Sequence, residues 1–304
     1  MKTGINILPS SRIDKDSWDL CVRKNANGLI YSSAVYLDTM SANWHGVVID
    51  DYAAVMALPW KKKFGIRYGY TPPFMQQLGL IGNIGLNDLS EIIHSIHRFI
   101  SFADIHFNFS NAAVQQLTPV VTRTNLILDL SVGYDHLYKK YSSDLKMNIK
   151  KATNGSLIYY ESNIEQGIAF YISHYQERMP HILKCDYEHF SELCYLLQKN
   201  ENCFVRAARN QTGDILAIAV FLFDGKRIYN MMNTTMQKGR AEEANHFLLD
   251  KVIQEFAGRP LLFDFEGSDL PGVREFYEKF GAANQPYFHY HYNGLPWLLR
   301  LLKR

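Results

Sequence analysis

Apolar and polar positions change period several times along the chain, and each change predicts an element. Residues 46–50 (GVVID) and 52–58 (YAAVMAL) are short apolar runs joined at Asp50-Asp51, a hairpin signal. A helix ends over residues 18–24, and a second short one spans 34–40. Residues 61–70 carry charge and glycine and run into Thr71-Pro72-Pro73, which reads as a strand end entering a loop. Residues 77–81 are a further strand. Ile92, Ile93, Ile96, Phe99 and Ile100 recur at helical spacing to about residue 101, after Asp88 or Ser90 as cap. Residues 105–109 alternate like a half-buried strand, and residues 124–130 close the first half with another.

From about Ser131 the order begins again. Leu137, Tyr138, Tyr141, Leu145 and Ile149 form one stripe, which predicts a single amphipathic helix over 134–152. A strand at 157–160, a helix at 165–177, the break Met179-Pro180-His181 and a helix at 187–198 follow. Three strands come next, at 203–209, 215–223 and 227–233, with turns at Thr212-Gly213-Asp214 and Asp224-Gly225-Lys226. A helix over 241–256 stops at Gly258 with Pro260 beyond it. A strand at 261–266, a helix at 273–280 and a strand at 287–292 complete the chain. No low-complexity linker separates the halves. The pattern is that of a layered α/β chain with two domains, 1–130 and 131–293.

Composition narrows the function classes. A length of 304 residues suits two cores. An apolar content of 47 % with 20 % charged residues is that of a folded chain. The net charge of +2 supplies no global field for DNA, so any phosphate or RNA contact needs a local patch. Cys21, Cys185, Cys194 and Cys203 have no CxxC spacing, so no metal site or disulfide framework is expected. The segment MKTGINILPSSRID lacks a signal-peptide core, and no window is apolar enough to cross a bilayer. A cytoplasmic protein is expected.

Candidate chemistry concentrates between residues 233 and 281. A strand ending at Asn233 passes through Thr234-Thr235-Met236-Gln237-Lys238-Gly239-Arg240-Ala241 into a helix. A glycine there lets backbone N–H groups approach a phosphate, or simply makes a strand–helix turn. Next, LLFDFEGSDLPGVREFYEKFG (261–281) delivers Asp264 and Glu266 in alternation with Phe263 and Phe265, so both acids are expected on one face. Either acid is a candidate base, or else a helix cap and a structural acceptor. On the expected 134–152 helix, Lys139, Lys146 and Lys150 share a face, which reads as a carboxylate or phosphate contact or as a solvated surface. Lys61-Lys62-Lys63 with Arg67, Tyr68 and Tyr70 form a second basic cluster, read as an exposed loop or else as a phosphate or RNA contact. His289 and His291 alternate on the last strand without a third metal ligand. GxSxG, Walker A and HExxH motifs do not occur.

Two segments carry a resemblance. FYEKFGA (276–282) resembles the last helix of the GNAT acetyltransferases, where a tyrosine at the position of Tyr277 protonates the coenzyme A thiolate. Met236-x-x-Gly239-x-Ala241 resembles that family's pyrophosphate loop, with Met236 standing where Gln or Arg is usual. Over nearly the whole chain, residues 124–152 and 262–282 are similar to the Fem family of non-ribosomal peptidyl transferases and related tandem-GNAT proteins. Lys146 stands where that family has Arg, and Tyr277 where it has Lys.

The resemblance implies two tandem GNAT-like domains with mixed central sheets flanked by helices, here without a helical-hairpin insertion. It also implies a tail, residues 294–304, that packs back on the first domain; a weak peripheral membrane contact is the other reading of PWLLRLLKR. The implied activity is acyl or aminoacyl transfer to an amine of a cell-envelope, peptide- or sugar-linked precursor. No tightly bound cofactor is expected. Acyl-CoA or aminoacyl-tRNA would be the donor. Tyr277 would be the acid, and Glu266 or Asp264 the base. Lys146, Lys150, Phe276 and Lys279 would hold substrate, and Gly239, Arg240 and Ala241 the donor's phosphates. The alternative is a non-catalytic scaffold that binds a precursor or acyl-CoA.

Overall fold

The computed structural model describes residues 4–267 and 269–297. The chain divides into two units: Met1–Arg123 with Pro286–Arg304, and Thr124–Gln285. In the first unit the order is β1 (Ile5–Pro9), α1 (Lys15–Lys24), α2 (Ala34–Met40), β2 (Trp44–Ile49), β3 (Ala54–Lys63), β4 (Ile66–Tyr70), β5 (Gly79–Ile81), α3 (Leu86–Phe99), β6 (Phe102–Phe107) and β7 (Val120–Arg123). The second unit runs β8 (Leu126–Asp129), α4 (Tyr134–Lys140), α5 (Ser143–Asn154), β9 (Ile158–Ser162), α6 (Ile164–Tyr175), α7 (Lys184–Gln198), β10 (Cys203–Arg209), β11 (Ile215–Phe223) and β12 (Arg227–Thr235). It continues with α8 (Gln237–Ala241), α9 (Ala244–Phe256), β13 (Leu262–Asp264), α10 (Pro271–Glu278) and β14 (Ala283–Asn284). Then β15 (Tyr287–Asn293) returns to the first unit.

Each unit is a mixed sheet flanked by helices. Among the described residues the first sheet runs β1-β2-β3-β4-β6-β15-β7, with β5 also on β3. β15 lies between β6 and β7, with Tyr290 opposite both Ile105 and Val120. The boundary expected at 130/131 therefore falls at 123/124, and the last strand belongs to the first unit. Strands are claimed by whichever sheet completes their hydrogen bonds, and sequence order does not reveal that. In the tail, Gly294 N–H donates to Ser101 O at 2.9 Å and Leu295 is buried. From residue 298 on, the tail lies outside the described residues. The β2–β3 turn takes Asp50, Asp51 and Tyr52 through positive φ, as its Asp-Asp signal foretells.

The second sheet runs β14-β8-β13-β12-β11-β10-β9. β11 (ILAIAVFLF) is buried over almost its whole length because helices cover both faces. Ala217, Ala219 and Phe221 join the cluster that holds Phe247, Leu248 and Val252 of α9 and Leu145 and Ile149 of α5. Val220 faces the other way, against Gly167 of α6. The stripe expected as one helix over 134–152 is two. Tyr141 and Ser142 are extended, and the Ser142 hydroxyl accepts from Leu145 N–H to cap α5. The expected 241–256 helix likewise breaks, at Glu243, whose φ is +58°. No helical hairpin interrupts the second unit among the described residues.

Candidate functional site

The site in the second unit begins with a failure of strand pairing. β12 and β13 run parallel, but their register covers only Arg227–Leu262, Ile228–Phe263 and Tyr229–Asp264. β12 continues to Thr235 while β13 ends, so the two strands part. A bulge opposite Val220 and Phe221 of β11 leaves Met231 unpaired just past that point. Parted parallel strands expose backbone and side chains at a sheet's centre, a usual place for ligands in α/β folds.

Below the parting, Asp264 is 1 % exposed and bonded on every side. Its Oδ2 accepts from Arg227 Nη1 at 2.5 Å and Asn125 Nδ2 at 3.1 Å, and its Oδ1 from Glu266 N–H at 2.9 Å. Arg227 Nη2 also donates to Gln285 Oε1 at 2.9 Å. Asp264 is therefore a fold-holding ion pair, and its hydrogen bonds leave it no role as a base. The expected alternation also fails, because Glu266 and Gly267 both adopt positive φ and turn the chain after buried Phe265.

Above the parting, Tyr277 of α10 packs its ring on Phe265 at 4.7 Å. Burial pushes its hydroxyl well above the usual phenol range, helped by Tyr175, Glu266 and Tyr171, while Asn230 of β12 offsets part of the shift. A phenol so placed keeps its proton at neutral pH and can donate it only to a strongly basic atom. Asn230 in turn accepts from Asn233 Nδ2 at 3.5 Å. Tyr175 stacks near Tyr171, with centroids 5.0 Å apart, at the end of α6.

Beside this cluster a cavity of about 260 Å³ is lined by Tyr175, Thr235, Gly239, Arg240, Glu243, Asn245, His246 and Phe276. Gly239 has a packing reason to be glycine, since a Cβ there would sit 2.1 Å from Leu216 O. Ala241 is exposed at the end of α8, a helix of five residues. His246 was not anticipated. Its Nδ1 lies 3.1 Å from Glu243 Oε2, and Glu243 Oε1 accepts from Lys151 Nζ at 3.0 Å. Its ring lies 4.8 Å from Phe276, and its Nε2 is buried with no partner. Asn245 Oδ1, also in the wall, is buried without a partner, as is Thr234 Oγ1 at the end of β12. Burial lowers the His246 pKa, and Lys279 adds to that, while Glu243 and Asp144 oppose it.

The lysines expected to share a face do not form one row. Lys139 is in the last turn of α4, Lys146 lies on α5 and donates to Lys139 O at 3.0 Å, and Lys150 is exposed. Lys279 pairs with Asp144 at the start of α5. The structure thus brings Tyr277 and Glu266 near each other and Phe276, Gly239 and Arg240 to the adjoining cavity, while Asp264, Lys146 and Lys279 make other contacts and Lys150 is exposed. The signal for His246 was a lone imidazole three residues after an acid on an apolar helix. Only the left-handed turn at Glu243 gives that spacing its meaning.

Among the described residues no cluster of three or more His, Cys, Asp or Glu is placed to hold a metal. Cys21, Cys194 and Cys203 are buried free thiols and Cys185 an exposed one. No helix among the described residues is long and apolar enough to cross a membrane.

No family model and no curated protein match the chain. Among solved structures it is similar to FemX, with a TM-score of 0.72 and 13 % identity over 100 % of both chains. A conserved protein of unknown function from Bacteroides thetaiotaomicron gives 0.61 and 12 %, over 94 % of this chain and 99 % of that one. The C-terminal domain of a putative lysylphosphatidylglycerol synthetase from Agrobacterium fabrum gives 0.58 and 12 %, over 95 % of each. At these identities the likeness is one of fold: the chain has the architecture of FemX.

Proposed function

We propose that the second unit transfers an activated acyl or aminoacyl group to an amine carried by a cell-envelope, peptide- or sugar-linked precursor. The observation that carries this reading is the parting of β12 and β13, with a protonated Tyr277 hydroxyl facing Asn230 in the gap. Acyl transfer needs an open sheet centre for the reacting carbonyl and a proton for the leaving group, and the parting supplies a place for both. Tyr277 protonates the departing oxygen or sulfur. Glu266, beside it, is the carboxylate retained as a candidate base. Phe276 supplies an apolar wall, and Arg240 an exposed cation at the cavity for an anionic part of the donor. Lys150, exposed on α5, is the lysine left to hold a carboxylate or phosphate of the acceptor. The fold of FemX and of the lysylphosphatidylglycerol synthetase domain supports this class of donor and acceptor; fold by itself does not secure it.

The test is a thermal-shift series with acetyl-CoA, longer acyl-CoAs, free CoA and UDP-linked muropeptide precursors. A ligand at about 100 times its dissociation constant stabilises the native state by about 2.7 kcal/mol. A shift with the CoA series assigns a thioester donor. A shift with precursor alone assigns aminoacyl-tRNA. Stabilisation without any release of thiol or tRNA would replace transfer with binding alone.

A further inference from the structure

Residues 61–70, read from the sequence first as an exposed loop, form the end of a hairpin in the first unit. β3 and β4 pair from Trp60–Gly69 and Lys61–Tyr68 to Lys62–Arg67 and Lys63–Ile66. The neighbouring ladders stop short of that end: β2 follows β3 only as far as Pro59, and β6 joins β4 only from Tyr68 on. The last two pairs therefore stand beyond the sheet as a two-stranded arm. Phe64 and Gly65 close it with φ of +50° and +80°, the pattern of a type I′ turn.

Two features of this arm work against its own folding. A type I′ turn favours Asn, Asp or Gly at its first central position, and a bulky side chain avoids the left-handed backbone found there. Phe64 gains no packing in return, since it is 91 % exposed. Lys62 and Arg67 are directly opposed across the strands, where like charges destabilise a pair. Strain kept where it earns no core contact points to a role outside the fold.

The charge around the tip is of one sign. Lys61, Lys62, Lys63 and Arg67 fall within seven residues, and the sequence has no Asp or Glu between Asp51 and Asp88. Side chains alternate along a strand, so Lys62 and Arg67 share one face and Lys61 and Lys63 the other. The cations thus form a collar around one apolar ring. The aromatic faces at the base of the arm are already covered: Arg67 lies over Phe99 at 4.7 Å and Trp60 at 5.3 Å, and Lys61 Nζ over Tyr70 at 4.5 Å. A nucleic-acid strand uses open aromatic faces and a cationic groove that tracks its backbone. An anionic lipid surface met end-on instead takes the ring into the headgroup–acyl boundary and meets cations from both faces at once.

We propose that the β3–β4 hairpin docks the protein on an anionic membrane surface, with Phe64 entering the boundary and Lys61, Lys62, Lys63 and Arg67 meeting lipid phosphates around it. One ring and four cations make a reversible, peripheral contact. The proposal concerns the first unit and is independent of acyl transfer in the second.

The experiment is flotation of the full chain with vesicles of phosphatidylcholine alone, or of phosphatidylcholine and phosphatidylglycerol in equal parts. The protein should float with the mixed vesicles only, and less so as salt is raised. Lys62→Gln and Lys63→Gln should each weaken the partition about fivefold. Phe64→Asn should weaken it about tenfold. That last variant also gives the turn its favoured residue, so its thermal midpoint should rise while binding falls; a purely structural Phe64 would lower both. No flotation with mixed vesicles, or equal flotation with phosphatidylcholine alone, overturns the proposal. So does binding unchanged in all three variants, which would place the contact elsewhere in the chain. Unfractionated tRNA is the parallel probe: retention on it that the lysine variants lose, with vesicles ignored, would assign the hairpin to RNA instead.

Discussion

The two ends of β12 carry two buried polar centres that differ in how completely they are satisfied. At its start, Arg227 and Asp264 are bonded to each other and to Asn125, Gln285 and the Glu266 backbone. At its far end, Thr234 Oγ1, Asn245 Oδ1 and His246 Nε2 are buried without partners. Burying a polar group is costly unless it is paired, and the first centre meets that cost within the chain. The second leaves it open. Both centres are buried and polar, and they differ in hydrogen-bond completeness.

The largest expected effect falls on the complete centre. Asp264→Ala strands Arg227 in the interior and should cost about 3–5 kcal/mol in urea unfolding. A loss under about 1 kcal/mol would erase the contrast.

A buried imidazole outside the site gives the next test. His106 of β6 donates from Nδ1 to Gln76 O, 2.9 Å away, and burial together with His289 and Arg123 pulls its pKa down to about 4, against Gln76 O and Asp104. The folded state then binds fewer protons than the unfolded one. Its stability contribution is full above pH 6.5 and lost as pH falls from there towards about 4. The loss should be about 3 kcal/mol, at about 1.4 kcal/mol per pH unit, and His106→Phe should flatten that part of the stability–pH curve. Activity measured per folded molecule should not follow it.

Tyr277→Phe should lower turnover about 100-fold or more, about 2.7 kcal/mol on the barrier, with stability changed by less than about 1 kcal/mol. Unchanged turnover would remove Tyr277 as the acid. Smallest of all, Asn245→Leu should leave stability unchanged or raise it by up to about 1 kcal/mol, because it removes an unsatisfied acceptor. A loss of 2 kcal/mol or more in the same unfolding assay would mean that Asn245 belongs to the scaffold after all.

Long, strongly patterned elements were legible in the sequence. Ile92, Ile93 and Ile96 marked α3, and the turns at Gly213 and Gly225 marked the β10–β11–β12 meander. β7 and β14 were not, being four and two residues long with side chains largely exposed, so no apolar period announces them. The α4–α5 break was hidden because Leu137 and Leu145, on either side of it, reach one core and keep the stripe continuous. Tyr277 and Phe276 were named from the FYEKFGA segment, and the structure packs both against the core that holds Phe265 and Phe280. The two readings of Asp264 stayed open in the sequence because its partner Arg227 lies 37 residues away on a neighbouring strand. His246 was invisible because a left-handed glutamate has no signature in composition or period.

The placement of β15 bears on how the protein is made. A ribosome translates the whole of the second unit, Thr124–Gln285, before it reaches the strand that joins β6 to β7. Nascent chains usually fold their N-terminal domain first, at synthesis rates of about 5–20 residues per second. Here the order is inverted: the first unit waits for residues 287–293, with β7 lacking its sheet partner, while the second already has all its strands. A stop codon a few residues before Tyr287 would release a chain whose later half is complete and whose earlier half carries an open sheet edge, a template for aggregation.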